Sequence, residues 1–205
     1  FGGMPLKNSK VSSGGVGKHS TQEGMKKCVL GGTKFINISP LKNDSPEFLN
    51  AEHIAIRPNT DTALMLSLAY ILITNNSYDK DFINKYTVGF DSFASYVLGK
   101  KNNAPCTPEW ASNITNIPIK KIKNLAEKLI TKKTMISMSW SLQRASRGEQ
   151  PLWMGITLAC MIGQIGTAGG GFGFGYSAVN STGDSFTKIP WKSLPQGKNN
   201  IKDFI

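Results

Sequence analysis

The residues best equipped for chemistry fall in a few short stretches of this 205-residue chain. Trp140-Ser141-Leu142-Gln143-Arg144 follows a strand-like run. An indole, a side-chain amide and a planar guanidinium at that spacing suit a flat heterocycle carrying a phosphate, although a Trp at a strand end can equally be core packing. Pro58-Asn59-Thr60-Asp61 opens a helix. Asn59 or Thr60 there can serve as a cap. The same geometry leaves free N–H groups that hold an anion, and Asp61 can accept two donors from a guanine edge. The arginines Arg57, Arg144 and Arg147 all stand beside these stretches.

Two phosphate-loop resemblances fail on spacing. In SSGGVGKHS the first glycine of a Walker loop would fall at Ser12, and His19 stands where a magnesium-holding Ser or Thr belongs. Gly169-Gly170-Gly171-Phe172-Gly173-Phe174-Gly175 contains no GxGxxG and follows a helix, so it is read as flexible turns or a close approach of backbone to ligand. His19 and His53 have no neighbours suggesting a metal site or a triad, and both are read as structural. Cys28, Cys106 and Cys160 are widely spaced without a CxxC pair, which excludes a zinc ribbon or iron–sulfur motif within the chain and argues against a disulfide scaffold.

The elements that must position these residues are legible from periodicity and punctuation. Residues 1–20 read as a strand end followed by a Gly/Ser-rich loop, and Thr21 to Leu30 as a helix stopped by Gly31-Gly32. Strands are expected over Thr33 to Ser39, closed by Pro40, and over His53 to Ile56. A long apolar helix is expected over Thr62 to Thr74, with smaller helices at Asp79 to Tyr86, Asp91 to Leu98 and from Pro108. Ile119, Ile122, Leu125, Ala126 and Leu129 recur at helical spacing, predicting an amphipathic helix over Pro118 to Thr131 with a Lys-rich outer face. Thr134 to Met138 is a strand, Gly148 to Gly166 a helix running into the glycine run, and the tail from Ser181 a polar loop. Helices alternating with short buried strands predict a layered α/β domain: a largely parallel sheet flanked by helices, like a dinucleotide-binding domain. Ligands in such sheets bind beyond the carboxyl ends of the strands, here Ser39-Pro40, Arg57 to Asp61, and Ser139-Trp140.

Composition narrows the ligand. Hydrophobic residues make up 40% and charged residues 18%, which excludes a disordered chain. The 24 basic and 13 acidic residues leave +11, favouring anionic partners. Twenty-one of the basic residues are Lys, dispersed along the chain rather than clustered with aromatics, so nucleic acid is not an expected partner. The apolar stretch Ala63 to Ile73 is too short to span a bilayer. The chain starts at Phe1 rather than Met and reads as an internal piece of something longer. These observations describe a domain that binds a flat, phosphorylated anion whose chemistry comes from the ligand or from other parts of the protein.

Several segments in order resemble one family. FGGMPLKN, INISPLKND with IRPNTDTALMLSLAYIL, TPEWASNITNIPIKKIKNLA, and SWSLQRASRGEQPLWMGITLACMIGQIGTAGGGFGFGY are similar to the molybdopterin oxidoreductases. Within that family the similarity is to the dimethyl sulfoxide, trimethylamine N-oxide and biotin sulfoxide reductase branch. The resemblance implies a bis(molybdopterin guanine dinucleotide) molybdenum cofactor, with an S-oxide or N-oxide reduced by oxygen-atom transfer to the metal. It implies cofactor contacts from Lys7 and Asn8 after the first strand, from Ser39, from Asn59, Thr60 and Asp61, and from Trp140 and Arg144 with Ser139 and Gln143 beside them. Arg147 stands where relatives often carry His.

Residues 1–180 then correspond to the central cofactor-binding α/β domain of a catalytic subunit, and 181–205 to a polar loop or the start of the next segment. The metal-ligating serine is expected upstream, so no catalytic or metal-binding residue is expected within the chain. Implied partners are the small oxide substrate, the rest of the same subunit, and an electron donor: a protein, reduced nicotinamide or a quinol system. The parent would be a bacterial protein of the periplasm or cytoplasm. Two alternatives remain beside this reading: a non-catalytic nucleotide-binding scaffold subunit of the same fold, and a nucleic-acid-binding protein.

Overall fold

A computed structural model describes residues 1–4, 6, 21–101 and 103–175. Helix α1 (Thr21–Leu30) ends on Gly32 at φ 86°, with Gly32 and Thr33 N–H closing back onto Val29 and Cys28 carbonyls at 3.0 Å each. Strand β1 (Ile36–Ile38) leads into two 3-10 turns, Lys42–Asp44 and Glu47–Leu49, and then β2 (Glu52–Ile54). Both strands are shorter than the sequence predicts: Thr33 N–H turns back to Cys28 O and Arg57 N–H goes to Thr115 O, so the chain leaves the ladder on either side.

Helix α2 (Asp61–Thr74) is apolar around most of its circumference, so it can be stable only when surrounded. It is the core helix: Leu64, Met65, Leu68, Ala69 and Leu72 are all buried. Helices α3 (Lys80–Tyr86), α4 (Phe90–Val97), α5 (Pro108–Thr115) and α6 (Ile119–Thr131) follow. Asp79 caps α3 by accepting from Phe82 N–H at 2.8 Å, and Thr107 caps α5 by accepting from Trp110 N–H at 3.1 Å. Helix α6 buries Ile122, Leu125, Ala126 and Leu129 and turns its lysines outward, as its periodicity requires. Strand β3 (Met135–Met138), a 3-10 turn at Trp140–Arg144, helix α7 (Glu149–Met161) and strand β4 (Gly171–Phe174) complete the described chain.

The glycine run departs from expectation. Gly171-Phe172-Gly173-Phe174 is a strand, pairing in parallel with β3 with Met135 opposite Gly171 and Met138 opposite Phe174. Its glycines alternate with phenylalanines at the period of a strand; Gly171 and Gly173 are buried, and a β-carbon on Gly171 would stand 3.0 Å from Ile165 Cα. The helix before it stops at Met161, five residues short of the expected Gly166, because Gly163 at φ 66° turns the chain tightly against Asp79.

The parallel character holds, but the described strands form two ladders, β1–β2 and β3–β4, rather than one regular sheet. Residues 1 and 2 lie between them. Phe1 N–H donates to Ser137 O at 2.7 Å and Phe1 O accepts from Ser139 N–H at 2.9 Å, while Gly2 N–H donates to Ile38 O at 2.9 Å. Phe1 thus meets β3 as a parallel strand would, and the order across the molecule is β2, β1, residues 1–2, β3, β4. The strand end expected at the start of the chain is the link between the two ladders.

Candidate functional site

Each ladder is parallel, and Gly2 brings the carboxyl ends of β1 and β3 together, its N–H on Ile38 O and its backbone against Ser139. Ser39 follows β1, Ala55 to Arg57 follow β2, Ser139 and Trp140 follow β3, and Gly175 follows β4. Gly2 lies in the middle, so close to the β3 exit that a β-carbon there would stand 2.8 Å from Ser139 Cβ and 3.2 Å from Leu142 Cγ. At φ 79° this backbone suits glycine in conformation as well as in space.

The β3 exit keeps its polar side chains available. Ser139 caps the 3-10 turn, its Oγ accepting from Ser141 N–H at 3.4 Å and pairing with Ser141 Oγ at 3.0 Å. Gln143 and Arg144 are exposed on that turn. Trp140 remains 40% exposed, its ring 6.0 Å from that of Phe174 and tilted by 43°. Gly175 lies directly beneath the indole, where any β-carbon would collide with Nε1. Trp140 therefore sits at the sheet edge rather than inside the core.

Helix α2 starts from the exit of β2. Arg57 is exposed and its N–H donates to Thr115 O at 3.0 Å, tying this exit to the end of α5. Asn59 adopts φ 62°. Thr60 occupies the cap position without capping, because its hydroxyl donates to Arg57 O at 2.7 Å. Asp61 is buried, and burial pushes its carboxyl above the usual range. The Phe1 α-amino group and its own backbone N–H pull the other way, which places Asp61 near the segment joining the ladders.

Ser39 is more enclosed than its sequence role suggests. It is fully buried, its Oγ donates to Asp44 Oδ2 at 2.5 Å and accepts from Leu41 N–H at 3.3 Å, and its carbonyl accepts from His53 Nε2 at 2.9 Å. Lys7 and Asn8 lie outside the described residues, as do the SSGGVGKHS stretch, His19 and the tail from Ser181. The structure thus gathers Ser39, Ser139, Trp140, Gln143 and Arg144 at one strand edge, and sets Asn59, Thr60 and Asp61 at the start of α2. The sequence reading did not anticipate Gly2, Asp44 or Phe174, and took His53 only as structural or surface; the Gly-Phe alternation is the signal that would have found Phe174.

This set suits an extended, flat anion. Exposed arginines answer phosphate, a half-exposed indole answers a heterocycle, and a buried carboxyl without a cationic side chain beside it answers a pair of N–H donors. Close-approach glycines let backbone reach a ligand. Among the described residues, no group of three or more His, Cys, Asp or Glu could hold a metal ion. A surface groove of about 470 Å³ lies between α2, α5 and α6, away from all of these residues.

Known proteins share this sequence and arrangement. The family model for molybdopterin oxidoreductases matches residues 17–202. Biotin sulfoxide reductase of Cereibacter sphaeroides is 40% identical over 205 residues, 100% of this chain and 28% of that protein. Dimethyl sulfoxide/trimethylamine N-oxide reductase of Rhodobacter capsulatus is 44% identical over 172 residues, 84% of this chain and 21% of that protein. Among solved structures, acetylene hydratase from Pelobacter acetylenicus superimposes with a TM-score of 0.62 at 20% identity, over 73% of this chain and 20% of that one. That likeness concerns the fold. The chain spans between 21% and 28% of these two curated relatives.

Proposed function

The chain belongs to the molybdopterin oxidoreductase family, and from that premise we propose that it holds the nucleotide tails of a bis(molybdopterin guanine dinucleotide) cofactor within an S-oxide or N-oxide reductase. The observation that carries this reading is the shared carboxyl edge: parallel pairing brings Ser139, Trp140, Arg144, Gly2 and Gly175 together, where ligands of such sheets bind.

The residues fit the group. Arg144 and Arg57 are exposed cations able to bind pyrophosphate oxygens in a bidentate fork. Trp140, supported from one side by Phe174 and from below by Gly175, offers a π face to a pterin or a base. Asp61 accepts the paired N–H donors of a guanine edge, an interaction that favours its ionised form and offsets the desolvation of its carboxyl. Uncapped by Thr60, the start of α2 presents its positive dipole end to an anion. When bound, the molybdenum cofactor supplies the two-electron oxygen-atom chemistry. This segment's share is binding and orientation. The relatives are several times longer than this chain, and on this reading the metal-ligating side chain, the substrate funnel and the contact with the electron donor fall to the remainder of such a polypeptide.

Metal and pterin analysis of the full-length parent, purified anaerobically, tests the reading. About one molybdenum and two guanine nucleotides per chain are expected. A folded parent, made with cofactor available, that carries neither would overturn the reductase reading and leave a scaffold of the same fold.

A further inference from the structure

Across the β2–β1 side of the sheet edge runs a chain of hydrogen bonds through Ser39 whose other members, His53 and Asp44, the family resemblance does not assign. It begins at His53 in β2. Its Nε2 lies 2.9 Å from Ser39 O. A carbonyl only accepts, so Nε2 carries the proton in this contact. Ser39, fully buried at the exit of β1, then donates its hydroxyl to Asp44 at 2.5 Å. The peptide oxygen of Asp44 accepts from Met4 N–H at 2.6 Å. Gly3 packs against the same residue so closely that a β-carbon would lie 2.5 Å from Asp44 Cβ. The network therefore starts on one strand, crosses the exit of the next, and ends on residues 3 and 4, just past the segment that joins the two ladders.

We propose that His53 is a positioning residue: its Nε2–H holds the Ser39 carbonyl, and through Ser39 and Asp44 it fixes residues 3 and 4 as they leave the sheet toward Lys7 and Asn8. The turn Lys42–Asp44 has no side-chain cap and buries none of its own residues, so packing alone does not hold it. Asp44 N–H reaches only the Leu41 carbonyl, at 3.3 Å. Without the histidine, Ser39 O would lose its side-chain donor inside a buried site, and the turn would be free to relax away from Met4. The assignment of the loop to cofactor binding rests on the function proposed above; the positioning role itself does not.

Hydrogen exchange on the full-length protein, read with and without cofactor, tests it. His53→Ala is expected to raise exchange in peptides covering Met4 and Leu41 about tenfold, with peptides from α6 unchanged. His53→Gln, whose side-chain amide can still donate, is expected to restore most of the protection. Unchanged exchange at Met4 and Leu41 in His53→Ala overturns the proposal. So does exchange that rises equally in α6, which would mean general loss of stability, and so does a Gln variant no better than Ala. In the loaded protein, His53→Ala should also release guanine nucleotide faster than wild type and His53→Gln should not. Raised exchange at Met4 in His53→Ala with nucleotide release unchanged would overturn the loop's link to the cofactor and leave the positioning role standing.

Discussion

Desolvation raises the Asp61 carboxyl above its ordinary range, and the sign of that shift dictates how this segment answers to pH. The folded state binds the proton more tightly than the unfolded one. Stability is therefore highest below the unfolded value and falls as pH rises through the folded value, beyond which a charge is held in a buried site. Asp61→Asn should abolish that fall, measured as unfolding free energy across the acid to neutral range. A nucleobase donating two N–H groups reverses the preference, so guanine nucleotide binding should tighten with rising pH in wild type. Asp61→Asn should weaken it by about tenfold or more. Asn37 poses a simpler case. It is buried on β1, and its Nδ2 has no hydrogen-bond partner among the described residues. An unmatched buried amide costs about 1–3 kcal/mol, so Asn37→Val, which also suits a strand, should raise thermal stability without altering cofactor content.

At the scale of elements, the strength of a contact follows its burial rather than its charge. Helix α2 is enclosed by α5, α6 and α7. Leu68→Ala should cost about 3 kcal/mol in chemical denaturation, because a filled interior cannot close over the space left. The Lys128–Glu52 ion pair at 2.6 Å links α6 to β2, but both side chains are near two-fifths exposed. Its loss should change stability by less than about 1 kcal/mol. The β4 exit is the most sensitive turn at the site. Gly175 adopts φ 74° beneath Trp140, so Gly175→Ala strains the backbone by about 1–2 kcal/mol and displaces the indole. A change in tryptophan emission together with reduced cofactor retention is expected; unchanged emission would mean that the ring does not rest there.

For the whole molecule, the proportions carry the argument. A segment covering 21% to 28% of two reductase relatives can enclose only part of the two-pterin cofactor proposed for it. The 205-residue chain produced alone should therefore show no oxide-dependent oxidation of a reduced dye, and turnover from it would refute this division of labour. Its surface fits an incomplete unit: Trp153 and Ile156, three residues apart on α7, stay 65% and 44% exposed. An apolar helix face of that kind is covered when a domain is built into a larger protein.

Much of this was legible in the sequence because it is written in local patterns. The apolar length of α2, the helical spacing in α6, the bounds of α1 and the β-rich runs around Ile36 and Met135 all depend on neighbours along the chain, where side-chain periodicity acts directly. So does the family, which the long run from Ser139 to Gly175 carries. Tertiary structure alone decided which runs pair. The strand Gly171–Phe174 is invisible by propensity, since glycine favours turns, and it forms because β3 offers it a parallel ladder, with Gly171 at φ 94° close against Ile165. The link made by residues 1 and 2, the burial of Asp61 and the reach of His53 to Ser39 are contacts between distant parts of the chain. No local pattern encodes them, because their energy exists only once the partners have been brought together.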